Sequence, residues 1–154
     1  MYGDTRVNKE TTEQAVARGL DRWVGLLGRD FGPLSRPQRR ALHTLASREA
    51  AGKTTRVGDF ASLLQITTAG ATRMLDTLEG QGYATRYRSP EADQRQVYVA
   101  LTPAGRAALA QADRTFDARV AASLATLTGA ERQTLATLLA RLTAPAAPEA
   151  PTDA

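Results

Sequence analysis

Residues 57–101 read VGDFASLLQITTAGATRMLDTLEGQGYATRYRSPEADQRQVYVAL, and the period of their apolar residues changes partway along. Val57, Phe60, Ala61 and Leu64 recur at helical spacing, which predicts a short helix over about 57–65. Ile66-Thr67 interrupts it, and Thr67 can cap a second helix over about 68–81 with Ala71, Met74, Leu75 and Leu78 facing inward. Gly80 and Gly82 mark the end of that helix. From Tyr83 onward the period falls to two. Tyr83, Thr85 and Tyr87 alternate with Ala84, Arg86 and Arg88, and later Val97, Val99 and Leu101 alternate with Tyr98 and Ala100. Between these runs, residues 89–96 (SPEADQRQ) are polar and rich in turn formers. Two short helices joined by a tight turn and followed by a hairpin with an exposed tip make a winged helix-turn-helix.

Working outward, Val16, Leu20, Trp23, Val24, Leu27 and Phe31 predict one long helix over residues 10–31. Ser35, Pro37 and Gln38 form a helix start, a capping box with proline in the first turn, and the helix runs to about Glu49 with Ala41, Leu42, Leu45 and Ala46 inward. Thr102-Pro103 opens a long helix bearing Leu109, Ala112, Phe116, Val120, Leu124 and Leu127. Thr128 and Glu131 form another capping box, ahead of a last helix bearing Leu135, Leu138, Leu139 and Leu142. The expected fold is therefore mainly α with a small β-hairpin wing. Residues 34–102 form the winged helix-turn-helix, and 10–33 with 103–142 form a helical dimerisation region. Residues 1–9 are expected to be a flexible N-terminus and 143–154, rich in proline and alanine, a disordered tail.

The chain has 154 residues, enough for one domain with a buried core. It contains no cysteine, which excludes disulfides, thiolate metal sites and thiol nucleophiles or redox switches. A single histidine, His43, leaves no basis for a histidine-rich metal site. No cofactor or metal is expected. No apolar run is long enough to span a membrane, and the polar N-terminus does not resemble a signal peptide, so a cytoplasmic address is expected. The net charge is +4, and the surplus is concentrated in one stretch. Residues 29–56 carry seven bases against two acids, while the rest of the chain is balanced or nearly so. Eighteen of the twenty bases are arginine, whose forked donors suit phosphate. Such a patch suggests an anionic partner, with Arg39, Lys53 and Arg56 as phosphate-contact candidates.

The second helix of the pair exposes Thr67, Thr68, Ala69, Gly70, Thr72 and Arg73. An α-helix fits the major groove of B-DNA, small residues let its backbone approach, and arginine can grip guanine through O6 and N7. The same face would also suit an ordinary solvated helix. On the hairpin, Arg88 precedes the tip, and Asp93 can brace Arg95 for entry into a minor groove, where narrow A·T stretches concentrate negative potential. A plain surface ion pair is the simpler alternative.

The segment 93–105, DQRQVYVALTPAG, resembles the D-x-R…V-x-L-T-x-x-G wing signature of MarR-family regulators. Val57–Ala61 is similar to that family's second helix of the helix-turn-helix unit, and Met74–Tyr83 to the exit of its recognition helix. The likeness covers about residues 10–142. It implies a homodimeric DNA-binding transcription regulator, usually a repressor released by small phenolic or aromatic ligands. It assigns Thr67–Arg73 to the major groove, and Arg95, braced by Asp93, to the minor groove. Gln94 departs from the pattern, since many members have arginine there, and Gly70 stands where a bulkier residue is common.

Val16, Leu20, Leu124, Leu127, Leu135, Leu138, Leu139 and Leu142 form stripes that one small domain would leave partly wet, and a twofold copy would cover them. That symmetry places two recognition helices roughly 34–36 Å apart, which predicts a pseudo-palindromic operator of about 16–20 base pairs. Trp23, Leu27 and His43 are the ligand-pocket candidates for a small aromatic or lipophilic effector, although core packing is the stronger account of Trp23 and a satisfied or surface position that of His43. As the one histidine, His43 is also a candidate pH switch, an option no other residue in the sequence supports. Two other function classes compete. Asp76 and Glu79, three apart on one helix, are the only hint of acid–base chemistry, and helix-dipole and ion-pair roles account for them far better. A winged helix that binds protein, without ligand response, fits the absence of net positive charge on the recognition helix and wing.

Overall fold

The computed structural model describes residues 10–28, 30–88 and 96–144, and these form six helices, a two-stranded antiparallel ribbon and a three-stranded antiparallel sheet. Helix α1 (Thr12–Leu26) starts at a capping box between Thr11 and Gln14. It stops well short of the predicted residue 31. Gly28 adopts φ +78°, which only glycine takes without strain, and the chain turns there. Phe31 therefore leaves the helical stripe. It lies on β1 (Asp30–Phe31), paired with β2 (Leu34–Ser35), and is fully buried.

Helix α2 (Arg36–Ala50) begins at the predicted Ser35–Gln38 capping box and buries Ala41, Leu42 and Leu45. A two-residue strand, β3 (Thr55–Arg56), leads into α3 (Val57–Leu64), and α4 (Thr68–Gly80) follows. Strands β4 (Ala84–Tyr87) and β5 (Tyr98–Leu101) pair in register, Ala84 opposite Leu101. β3 adds to the other side of β5, so the sheet order is β3-β5-β4 and β4 is an edge. Helices α5 (Pro103–Ser123) and α6 (Gly129–Thr143) complete the chain, the latter from the predicted Thr128–Glu131 box.

One core joins these elements. Phe31, Leu34, Leu42, Leu45, Phe60, Leu75 and Leu78 are all at most 1% exposed, and Leu109 and Ala112 of α5 close it from above. Burying a side chain of this size stabilises by roughly 1.5–3 kcal/mol. Thr55, the one buried polar residue of the described core, is satisfied by Arg48 Nε at 2.9 Å. Helices α1 and α6, by contrast, bury nothing. Val16, Leu20, Val24, Leu26, Leu138 and Leu142 stand open to solvent, while Leu124, Leu127, Leu135 and Leu139 are half-buried.

The root of the hairpin is unusually tight. The Thr102 hydroxyl caps α5 by accepting from the Gly105 N–H at 2.9 Å and donates to the Gly82 carbonyl at 2.6 Å. Gly105 lies so near the Tyr83 backbone that an added Cβ would fall 2.8 Å from the Tyr83 carbonyl carbon. The threonine and glycine of the wing signature thus fasten α5 to the turn between α4 and β4.

Candidate nucleic-acid interface

The turn between α3 and α4 is closed by Gln65 in the left-handed conformation (φ 56°) and by Ile66 N–H on Ala61 O at 3.0 Å. Thr67 then accepts from Gly70 N–H at 3.1 Å, starting α4. A Cβ at residue 70 would stand 3.2 Å from Thr67 Oγ1, so the glycine leaves this cap uncrowded. Ala71, Leu75 and Leu78 bury one face of α4 against α3. The opposite face carries Thr67, Thr68, Ala69, Thr72 and Arg73 in the open, with Gly70 at its edge. The Thr72 hydroxyl donates to Thr68 O at 3.0 Å, which keeps its lone pairs outward. Arg73 Nε lies 3.4 Å from Ala69 O, and no carboxylate pairs with Arg73 among the described residues. This face can therefore offer one forked cation and several small polar groups to a groove.

The wing starts beside it. Tyr87 and Tyr98 stack at a centroid distance of 5.6 Å, stiffening the strand pair, and exposed Arg88 follows directly. Asp93 and Arg95 lie outside the described residues. Asp76 and Glu79 are both engaged by Arg86, the ion-pair arrangement weighed above against acid–base chemistry.

The basic stretch divides. Lys53 is exposed on the loop before β3 and Arg56 on β3 itself, an edge strand of the sheet. Arg39 is directed inward instead. Its Nε and Nη2 reach Asp113 Oδ1 on α5 at 2.8 and 2.7 Å, and its guanidinium covers the Phe116 ring at 4.4 Å. A phosphate could reach it only by breaking that pair. Arg36 likewise donates to Val24 O and Gly28 O at 3.1 and 3.2 Å. Exposed Arg40, which the sequence reading counted but did not single out, sits with Arg36, Pro37, Leu64, Ile66 and Met74 around a recess of about 320 Å³ beside α4.

Trp23 and Leu27 lie one turn apart, the Leu27 N–H donating to Trp23 O at 3.1 Å. Trp23 Nε1–H donates to Ser123 Oγ at 2.9 Å, Leu27 is buried at 4% exposure, and His43 Nε2 lies 2.8 Å from Asp113 Oδ1. The larger cleft nearby, about 720 Å³, is walled by Asp21, Val24, Gly25, Gly28, Ser35, Arg36 and Pro37. No described helix is long and apolar enough to cross a membrane.

This arrangement is a winged helix-turn-helix. Residues 34–97 match the model of the MarR family. The transcriptional repressor CouR, solved bound to a 23-mer DNA duplex, is 30% identical, with 86% of this chain and 92% of that one covered and a TM-score of 0.64. BpsR from Bordetella bronchiseptica, whose DNA binding is regulated by 6-hydroxynicotinic acid, is 22% identical over 86% and 97% of the chains, with a TM-score of 0.62. Wild-type MarR from E. coli is 24% identical over 87% and 98%, with a TM-score of 0.65. No curated protein matches the chain. The chain belongs to the MarR family of DNA-binding transcriptional regulators.

Proposed function

We propose that the protein is a homodimeric repressor that reads a pseudo-palindromic duplex and releases it when a small aromatic or lipophilic ligand binds. The observation that carries this is the outward face of α4, where Arg73 pairs with no carboxylate among the described residues and has small and hydroxyl-bearing neighbours. Thr67, Thr68, Ala69, Gly70, Thr72 and Arg73 take the major groove. Arg88, and Arg95 with Asp93, take the flanking minor groove, and Lys53 and Arg56 hold phosphates. Residues 34–102 form the DNA-binding region. The arms 10–33 and 103–142 pair with a second copy through Val16, Leu20, Leu124, Leu127, Leu135, Leu138, Leu139 and Leu142. Two bare apolar helices support that pairing, since exposed patches of this kind mark contact surfaces. For the ligand, the cleft between α1 and the start of α2 is a better site than the surroundings of Trp23, Leu27 and His43. It combines Val24 and Pro37 with the Arg36 guanidinium, which suits an aromatic acid.

The test is selection of duplexes from a random pool, followed by footprinting with and without aromatic acids. A symmetric footprint of about two half-sites one turn apart is expected, with affinity falling ~10³–10⁵-fold between 50 and 200 mM salt. Failure to enrich any duplex, or binding indifferent to salt, would overturn the assignment and favour a protein-binding winged helix. Effectors that leave operator affinity unchanged across a broad aromatic set would overturn the ligand response alone.

A further inference from the structure

Arg86 is the one arginine of strand β4, and it is turned back onto α4. Its backbone N–H donates to Glu79 Oε1 at 2.7 Å, Nη1 meets Glu79 Oε2, and Nη2 donates to Asp76 Oδ1 at 2.9 Å. The side chain is only 26% exposed, so its guanidinium is unavailable to phosphate. Both carboxylates project from one face of the helix, three residues apart, and the arginine forks across them. β4 is an edge strand, so β5 alone pairs with it within the sheet, and its other support comes from α4.

We propose that Arg86, through Asp76 and Glu79, is a positioning residue that sets the angle between the wing and the recognition helix. It thereby fixes Arg88 relative to Arg73 without touching DNA itself. The proposal rests on the DNA-binding reading above. It makes a prediction opposite in sign to simple charge accounting. Asp76 and Glu79 are anions on the helix that would enter the groove, so neutralising either one should reduce repulsion from phosphate and tighten binding. If they serve as the brace, neutralising them loosens the wing and weakens binding. Glu79→Gln is the sharpest probe. A glutamine has one acceptor oxygen and an NH2 group, so it must turn a donor toward either the Arg86 N–H or the guanidinium.

The experiment uses the full chain and a duplex enriched by the wild type from a random pool. Affinity and hydroxyl-radical footprints are measured at fixed salt for Glu79→Gln, Asp76→Asn, Arg86→Ala and the Glu79→Gln/Arg86→Ala pair. Thermal melting checks each fold. Glu79→Gln and Arg86→Ala should each weaken binding about tenfold, and the double variant should be no weaker than Arg86→Ala, because coupled residues are non-additive. Asp76→Asn should move the same way by less. The footprints should lose their outer protection and keep the centre. If Arg86→Ala melts early, the two carboxylate variants decide the matter. Tighter or unchanged binding by Glu79→Gln, or a footprint that fades uniformly, would overturn the positioning role. A wild type that enriches no duplex would overturn the DNA-binding reading instead.

Discussion

Arg39 and Asp113, 74 residues apart in sequence, form a pair that ties α2 to α5: two guanidinium nitrogens converge on one carboxylate oxygen, with the Phe116 ring beneath. His43 reaches the same oxygen from one turn further along α2. Helix α2 is thus joined to the long helix α5 by a charge-assisted contact that is mostly shielded from water.

Asp113→Ala should therefore destabilise the fold by about 1–3 kcal/mol, since it leaves a part-buried guanidinium without its anion. Arg39→Ala should likewise lower stability in urea unfolding. The dependence of DNA affinity on salt should not change for Arg39→Ala, whereas Lys53→Ala and Arg56→Ala should each reduce the salt slope by about 1. A reduced slope for Arg39→Ala would mean that the arginine leaves Asp113 to meet phosphate.

Gly105→Ala should be among the most damaging single changes. The new methyl would strike the Tyr83 carbonyl, and backbone on both sides resists displacement. A loss of about 3 kcal/mol, at the upper end for overpacking, is expected. Thr102→Val should cost less, about 1–2 kcal/mol, by removing a cap and one further hydrogen bond. Thermal melting of the two variants checks the order.

Leu20→Glu and Leu142→Glu place charge on the bare faces of α1 and α6, where Leu142 is 75% exposed in the single chain. Sedimentation at micromolar concentration should give a dimer for the wild type and a shift toward monomer for either variant. Circular dichroism should show the core still folded. An unshifted dimer in both variants would locate the pairing surface elsewhere.

Glu131 closes the α6 cap. Bonding to the Thr128 backbone N–H, and then to its hydroxyl, holds the Glu131 carboxyl below its ordinary value of 4.5. A carboxyl lowered by folding adds stability above the unfolded value, and that stability disappears as pH falls through the lower folded value. Acidification below pH ~4.5 should thus fray the start of α6, seen as lost ellipticity. Glu131→Gln should flatten that acid limb; an identical limb in the variant would remove the cap from the explanation.

Much of this architecture is legible because each described helix carries a periodic stripe and all of them except α3 a side-chain cap. Ser35–Gln38 and Thr128–Glu131 mark their helices to the residue. Phe31 was misread because it falls four residues after Leu27, in phase with α1, although the glycine between them turns the chain. β1, β2 and β3 are two residues each, too short to show alternation, and they exist through pairing alone. The destinations of the arginines were hidden for a different reason. Composition gives the number of cations, but Arg39 finds its anion on a distant helix and Arg86 finds two on the neighbouring one, and only tertiary structure decides which remain open.

The bonds among Thr102, Gly82, Gly105 and Tyr83 have a mechanical consequence. They make α4, the hairpin root and α5 a single lever, since none can swing without the others. With 21 residues at 1.5 Å rise, α5 is a shaft roughly 30 Å long, so a tilt of about 5° displaces one end by about 3 Å relative to the other. A small displacement near the fulcrum is therefore amplified severalfold at the far end of the shaft.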